Sequence, residues 1–240
     1  MSSIQVKGIN KRTWFDYVDI VILFVIAFIT FYPFWSVFIV SFNDPTDALK
    51  GRLWLYPRAF TLTNYLHFFE RNTFMSALLL SIARTVLGAS PSVLFTAAFS
   101  YGISKRYLRG QKIYLGIMLF TMYVSGGLIP TFLVIKSLGL LRNFLVYILP
   151  MMFSSYNAII MFTYFRSLPI ELEESVKIDG GTDLVIFFRI VLPISMPLIA
   201  AITLFNAVGQ WNSWFDTLLY GGPKLMTLQA LLVTIIRDGT

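Results

Sequence analysis

Long stretches free of charge alternate with short polar segments along this chain. Five apolar runs, residues 20–43, 85–104, 113–135, 143–165 and 190–215, contain no Asp, Glu, Lys or Arg. Each reaches the about 20 residues that a helix needs to cross a hydrocarbon core of roughly 30 Å. A sixth run, 225–236, is too short to cross and predicts a half-helix, either re-entrant or interfacial. The pattern therefore predicts an all-α, polytopic membrane protein with five spans. Gly126-Gly127 shortly before Pro130 predicts a bend in the third run, and Gly88, Pro91 and Gly102 soften the second. Between 43 and 73, the turn and cap signals Asp44-Pro45, Tyr56-Pro57 and Thr61 to Asn64 predict a loop with short helical pieces. Trp14, Phe15 and Tyr17 sit where an interfacial anchor is expected. The chain thus divides at 1–73, holding the tail, first span and loop, and 74–240, holding the remaining core.

Polar residues inside the apolar runs are the candidate chemistry. Arg84 lies within the pattern that resumes at Phe74. An arginine there faces a cavity or pairs with a carboxylate. Because 85–104 alone can span, the alternative is that Arg84 snorkels to the interface. Ser154, Asn157, Met161 and Tyr164 share one helical face of the fourth run; Thr203, Asn206, Gln210 and Ser213 share one face of the fifth, beside Trp211 and Trp214. Amides in hydrocarbon must find partners, so the fifth-run stripe looks into protein or into a wet passage. Aromatic faces next to amides suit a sugar's C–H surface and hydroxyls. Interhelical hydrogen bonding and plain packing are the simpler alternatives.

One segment breaks the apolar pattern, Arg166 to Pro197, RSLPIELEESVKIDGGTDLVIFFRIVLPISMP. Pro169 sets a first helical turn, and Glu171, Glu173 and Glu174 place negative charge where the helix dipole favours it. Leu172 and Val176 fall on one face. Gly180-Gly181 can adopt positive φ and so end the helix in a sharp turn. Thr182 or Asp183 caps a second helix, predicted to end near Leu192-Pro193. The product is a helix–turn–helix too polar for lipid, suited to a partner in water.

This segment resembles the coupling loop of ATP-binding-cassette (ABC) importer permeases. Glu174, Asp179, Gly180, Phe187, Ile190, Leu192, Pro193 and Pro197 fall on that family's spacing, with Ser175, Val176 and Gly181 in place of its alanines. The resemblance extends over about 74–215 and is strongest to the carbohydrate-uptake branch, particularly oligosaccharide permeases. It implies a six-span importer permease bundle, of which five spans are present and the last is expected beyond Thr240; a five-span protein is the other reading. It implies that Glu171, Glu174, Asp179, Gly180, Gly181, Phe187, Leu192 and Pro193 couple to an ATPase. It also implies a second homologous permease subunit, two cytoplasmic ATP-binding subunits carrying ATP-Mg, and an extracytoplasmic solute-binding protein, often a lipoprotein. The sugar would pass between the permeases, with Arg84, Tyr156, Asn157, Asn206, Gln210 and Trp211 as candidate path residues.

Composition agrees with the pattern. The 240 residues are 57% hydrophobic and 13% charged, against about 25% charged in soluble domains. The charge of +7 is topological and implies no nucleic-acid partner, because Lys105, Arg106, Arg109 and Lys112 crowd one acid-free link and place it in the cytoplasm. Alternation then places the N-terminus, with Lys7, Lys11 and Arg12, inside a bacterial cell membrane. With no cysteine and a single histidine, His67, no thiolate or histidine cluster can hold a metal. No Walker A pattern occurs, so the chain carries no nucleotide or other cofactor itself, and no catalytic pair lies within the spans. The remaining alternatives are an ABC permease for peptides, amino acids or polyamines, and a secondary transporter, which would need a deep Asp or Glu.

Overall fold

The computed structural model describes residues 14–70 and 72–238, so the tail residues Lys7, Lys11 and Arg12 lie outside the described residues. Every regular element among them is helical, apart from a single bridge between Asn43 and Phe60. The chain forms two compact units, Met1–Asn72 and Thr73–Thr240.

In the first unit, α1 (Trp14–Ser41) is apolar around its whole circumference and continues through Pro33. The following loop is built, not slack. Asp44 accepts from the backbone N–H of Thr46 and Asp47 to cap α2 (Pro45–Ala48). The buried Asn43 accepts from the Ala59 N–H at 2.9 Å, and Arg58 holds Asp47 at 2.9 Å. α3 (Thr63–Glu70) closes the unit.

The second unit is hung on α4 (Asn72–Ser104), whose 33 residues run through Pro91 and begin well before the predicted apolar run. α5 (Gln111–Tyr123) and α6 (Leu128–Ser137) meet at 113°, with Gly127 at φ 84° in the break, where the glycine pair predicts a bend. The fourth run is not one helix. Two 3-10 turns, Phe144–Tyr147 and Leu149–Met151, bend by 48° into α7 (Ser155–Ser167). Pro150 cannot donate to a preceding carbonyl, and the Ser154 hydroxyl restarts the helix by accepting from the Asn157 N–H.

Next come α8 (Glu171–Ile178) and α9 (Asp183–Ile186). The second helix ends near Leu192-Pro193, as predicted: it runs through a π turn, Phe187–Val191, and α10 (Leu192–Ile194), and the chain then bends by 81° at Ser195 into α11 (Met196–Asn212). The extra residue of the π turn lets the Pro193 ring pass without striking the preceding turn. The sixth run forms α12 (Leu228–Asp238), a half-helix of 11 residues. Among the described residues two helices are long and apolar enough to cross a membrane, and up to five spans result if each bent pair counts as one.

Candidate functional site

The polar segment folds as the helix–turn–helix its sequence implies. Glu171, Glu173 and Glu174 occupy the first turn of α8, where the exposed N–H groups favour negative charge. The two glycines do different work. Gly180 takes the left-handed conformation, φ 79°. Gly181 does not, but a Cβ there would meet the Val176 carbonyl oxygen at 2.9 Å, the same oxygen that accepts the Gly181 N–H at 2.8 Å. Thr182, not Asp183, caps α9 by accepting from the Val185 N–H at 3.5 Å.

The inner face of this loop is continuous with the helical core. Phe187, 2% exposed, and Ile186 pack with Val93, Ala97 and Tyr101 of α4 and with Met161 and Phe165 of α7. Leu168, Val176 and Leu192 close over the cluster. The outer face is free: Glu171, Glu174, Asp179, Gly180 and Pro193 are exposed, and the three acids form no ion pair among the described residues.

The missing piece of the sequence reading is Lys105. It belongs to the basic link between α4 and α5, yet is only 6% exposed. Its ammonium donates to the Tyr101 hydroxyl and to Glu173 Oε2 at 2.6 Å, and lies 3.6 Å from Asp183. It also stands 3.8 Å over the Tyr101 ring. Lys177 reaches the same Asp183 carboxylate at 3.4 Å. The Tyr107 hydroxyl donates to Asp183 at 2.7 Å. That hydrogen bond, with some burial, pushes the Tyr107 phenol up to about 12, so it keeps its proton throughout the neutral range. Arg166 adds a bond from α7 to Gln111 at 3.1 Å. Beneath the loop a cleft of about 240 Å³ is lined by Lys105, Tyr107, Phe165, Leu168, Glu173 and Lys177, among others. A push on α8 therefore reaches α4 through Lys105 and Tyr101, and α7 and α11 through Phe187. The Tyr101–Lys105 spacing of i, i+4 is the sequence signal that could have exposed this clamp.

A second polar cluster lies further along α4, about 30 Å away at 1.5 Å per residue. Arg84 is fully buried and pairs with Asp216, which excludes the interfacial reading and leaves the carboxylate pairing. Its guanidinium also donates to Gln210 Oε1 at 2.9 Å, the Ser213 carbonyl at 3.2 Å and the Thr217 hydroxyl at 3.1 Å. The Tyr147 ring stacks 4.5 Å from it. Gln210 Nε2 donates to the Tyr147 carbonyl at 3.2 Å, and the Tyr147 hydroxyl donates to the Leu225 carbonyl at 2.6 Å. Asp216, just beyond the fifth apolar run, was the partner available in the sequence.

The predicted path residues thus fall into four places. Arg84 and Gln210 are spent in this cluster. Asn157 and Asn206 face each other, the Asn157 Nδ2 donating to Asn206 Oδ1 at 3.4 Å, so the two polar stripes meet. Tyr156 is exposed beside a cleft of about 540 Å³ that includes Tyr114, Thr121 and Ser155, and Trp211 is half-buried near the end of α11.

No protein-family model matches the chain. It is 41% identical over 229 residues to protein LplC of Bacillus subtilis (strain 168), covering 94% of this chain and 78% of that protein. It is 41% identical over 227 residues to the polygalacturonan/rhamnogalacturonan transport system permease protein YtcP of the same organism, covering 94% of this chain and 79% of that one. Among solved structures, a chain of a bacterial ABC transporter involved in the import of the acidic polysaccharide alginate superposes with a TM-score of 0.91 at 29% identity, over 98% of this chain and 85% of that chain.

Proposed function

The chain belongs to the permease subunits of ABC transporters, and on that premise we propose that it forms, with a homologous permease, the passage by which an oligosaccharide enters a bacterial cell. It is a transport component and not an enzyme. The observation that carries the coupling role is the loop 166–193, whose acidic outer face is free while its inner face is continuous with α4, α7 and α11. Two cytoplasmic ATP-binding subunits, holding ATP-Mg, grip Glu171, Glu174 and Asp179, and their closure moves the loop as a body; alternating access follows from the rocking of the attached spans. An extracytoplasmic binding protein delivers the cargo. The loop and the Lys105–Lys112 link face the cytoplasm, as does the N-terminus.

A carbohydrate cargo is supported by relatives named for polygalacturonan, rhamnogalacturonan and arabino-oligosaccharide transport, and by the alginate importer. A secondary transporter is disfavoured because Asp216, the acid just beyond the fifth apolar run, is held in an ion pair by Arg84.

The test uses the complex assembled in proteoliposomes. Gly180→Val forces a β-branched residue to φ 79° and should lower cargo-stimulated ATP hydrolysis and uptake by about tenfold. Wild-type values for both would sink the lever role. Uptake of a tripeptide in place of trigalacturonate, arabinotriose and maltotriose would overturn the carbohydrate assignment.

A further inference from the structure

A recess of about 100 Å³ lies between α4 and α11, lined by Ala89, Ser92, Met151, Asn206 and Gly209 and floored by Gly88 and Gln210. We propose that it is a subsite for a neutral hydroxyl or hydroxymethyl group of the cargo; this rests on the oligosaccharide-importer reading and gives it an address in this subunit.

The starting point is an amide with nothing to hold. Asn206 Nδ2 is buried and makes no hydrogen bond, although its own Oδ1 accepts a long bond, 3.4 Å, from Asn157. Turning both amides over exchanges an unmatched donor for an unmatched acceptor and removes nothing. Within an apolar span such a group is costly unless something polar enters beside it. Ser92 gives its proton to the Met151 carbonyl at 2.9 Å, which leaves its oxygen lone pairs able to accept. The recess therefore offers a donor and an acceptor within one small space. A hydroxyl is the small group that answers both at once.

The same inventory argues against a carboxylate. Arg84 has committed its guanidinium to Asp216, Gln210, Ser213 and Thr217, and the Gln210 amide is divided between Arg84 and Tyr147. No cation is left to balance an acid in the recess. If the cargo is a uronic-acid oligomer, its hydroxyl face enters here and its carboxylates lie elsewhere. Access is at Gly209, which is exposed and has open space where a Cβ would stand. Beside it Phe205, 73% exposed, presents a flat face of the kind that packs on a sugar's C–H surface.

The chain has no cysteine, so a single introduced thiol reports on the recess. In the assembled transporter, N206C and, at the mouth, G209C are exposed to a charged methanethiosulfonate in the resting and vanadate-trapped states. Labelling is repeated with binding protein plus saturating trigalacturonate, arabinotriose or maltotriose. L204C, on an exposed part of α11 outside the recess, is the control. Both thiols should label in at least one state, and a transported sugar should slow their labelling about tenfold while leaving L204C unchanged. Labelling that no transported sugar slows makes this a water-filled packing defect and overturns the subsite. Absence of labelling at both positions removes the recess from the path and overturns it as well. Uptake by the parent chain is read in parallel: sugar uptake without protection defeats the subsite alone, whereas no sugar uptake defeats the importer reading on which it stands.

Discussion

Arg84 keeps a full charge inside a helical bundle by giving it five partners. The guanidinium meets Asp216, Gln210, the Ser213 carbonyl, Thr217 and the Tyr147 ring, and is 0% exposed. Such a pair repays its desolvation only when its remaining hydrogen bonds are satisfied, and removing one member strands the other. Arg84→Met should therefore destabilise the solubilised complex by about 3–5 kcal/mol, read as a fall in Tm. The double variant Arg84→Met with Asp216→Leu should recover more than half of that loss, because it removes the stranded charge. A single variant with wild-type Tm, or a double variant no better than the single, would contradict the assignment of this cluster as a satisfied internal pair. In the sequence Arg84 was legible as an anomaly but not as a pair. Its partner stands 132 residues away, and only the fold brings α4 and the end of α11 together.

Helices and links carry the coupling. The charge-dense link after α4 was legible as a topological marker, and the helix–turn–helix was legible almost residue by residue from its acidic first turn to the Gly180 turn, although the helix begins at Glu171, two residues after Pro169. What escaped was that link and loop form one object. Periodicity describes one element at a time, whereas Lys105 acts between elements, burying its stem against Tyr101 and its charge against Glu173 and Asp183. Nor did the pattern show the π turn before Leu192, since such a turn has no composition of its own. Lys105→Met should leave the spans assembled but lower the ratio of cargo-stimulated to basal ATP hydrolysis by about fivefold or more. Lys112→Met, an exposed charge on the same link, should leave that ratio unchanged. Equal effects of the two variants would show that overall link charge, and not the clamp, is what matters.

At the scale of the whole chain, the five apolar runs are five crossings only if the bent pairs cross. A single straight helix fixes its ends on opposite faces of the bilayer; a pair meeting at 113°, as α5 and α6 do, has no such obligation and can return to the face it left. Parity depends on the difference. If α5 and α6 together cross, Arg109 before them and Lys136 at their end lie on opposite sides. If the pair is re-entrant, both lie on one side, and the fourth run must then be re-entrant too, because Lys105 and Tyr107 of the link hold Glu173 and Asp183 of the loop on the link's own face. The absence of native cysteine makes the question direct. R109C and K136C, both at exposed positions, are labelled with a membrane-impermeant maleimide in intact cells and again after permeabilisation. The crossing reading expects K136C to label in intact cells and R109C only after permeabilisation. Labelling of both only after permeabilisation would make α5–α6 re-entrant and, because Lys105 ties the link to Glu173 and Asp183, would require the 3-10 turns and α7 that follow to return to the same face as well. A loop can transmit the work of ATP hydrolysis only from the side on which ATP is hydrolysed, so R109C, on the link that grips the loop, tests the lever: its labelling in intact cells would put the link and the loop outside and overturn the coupling role.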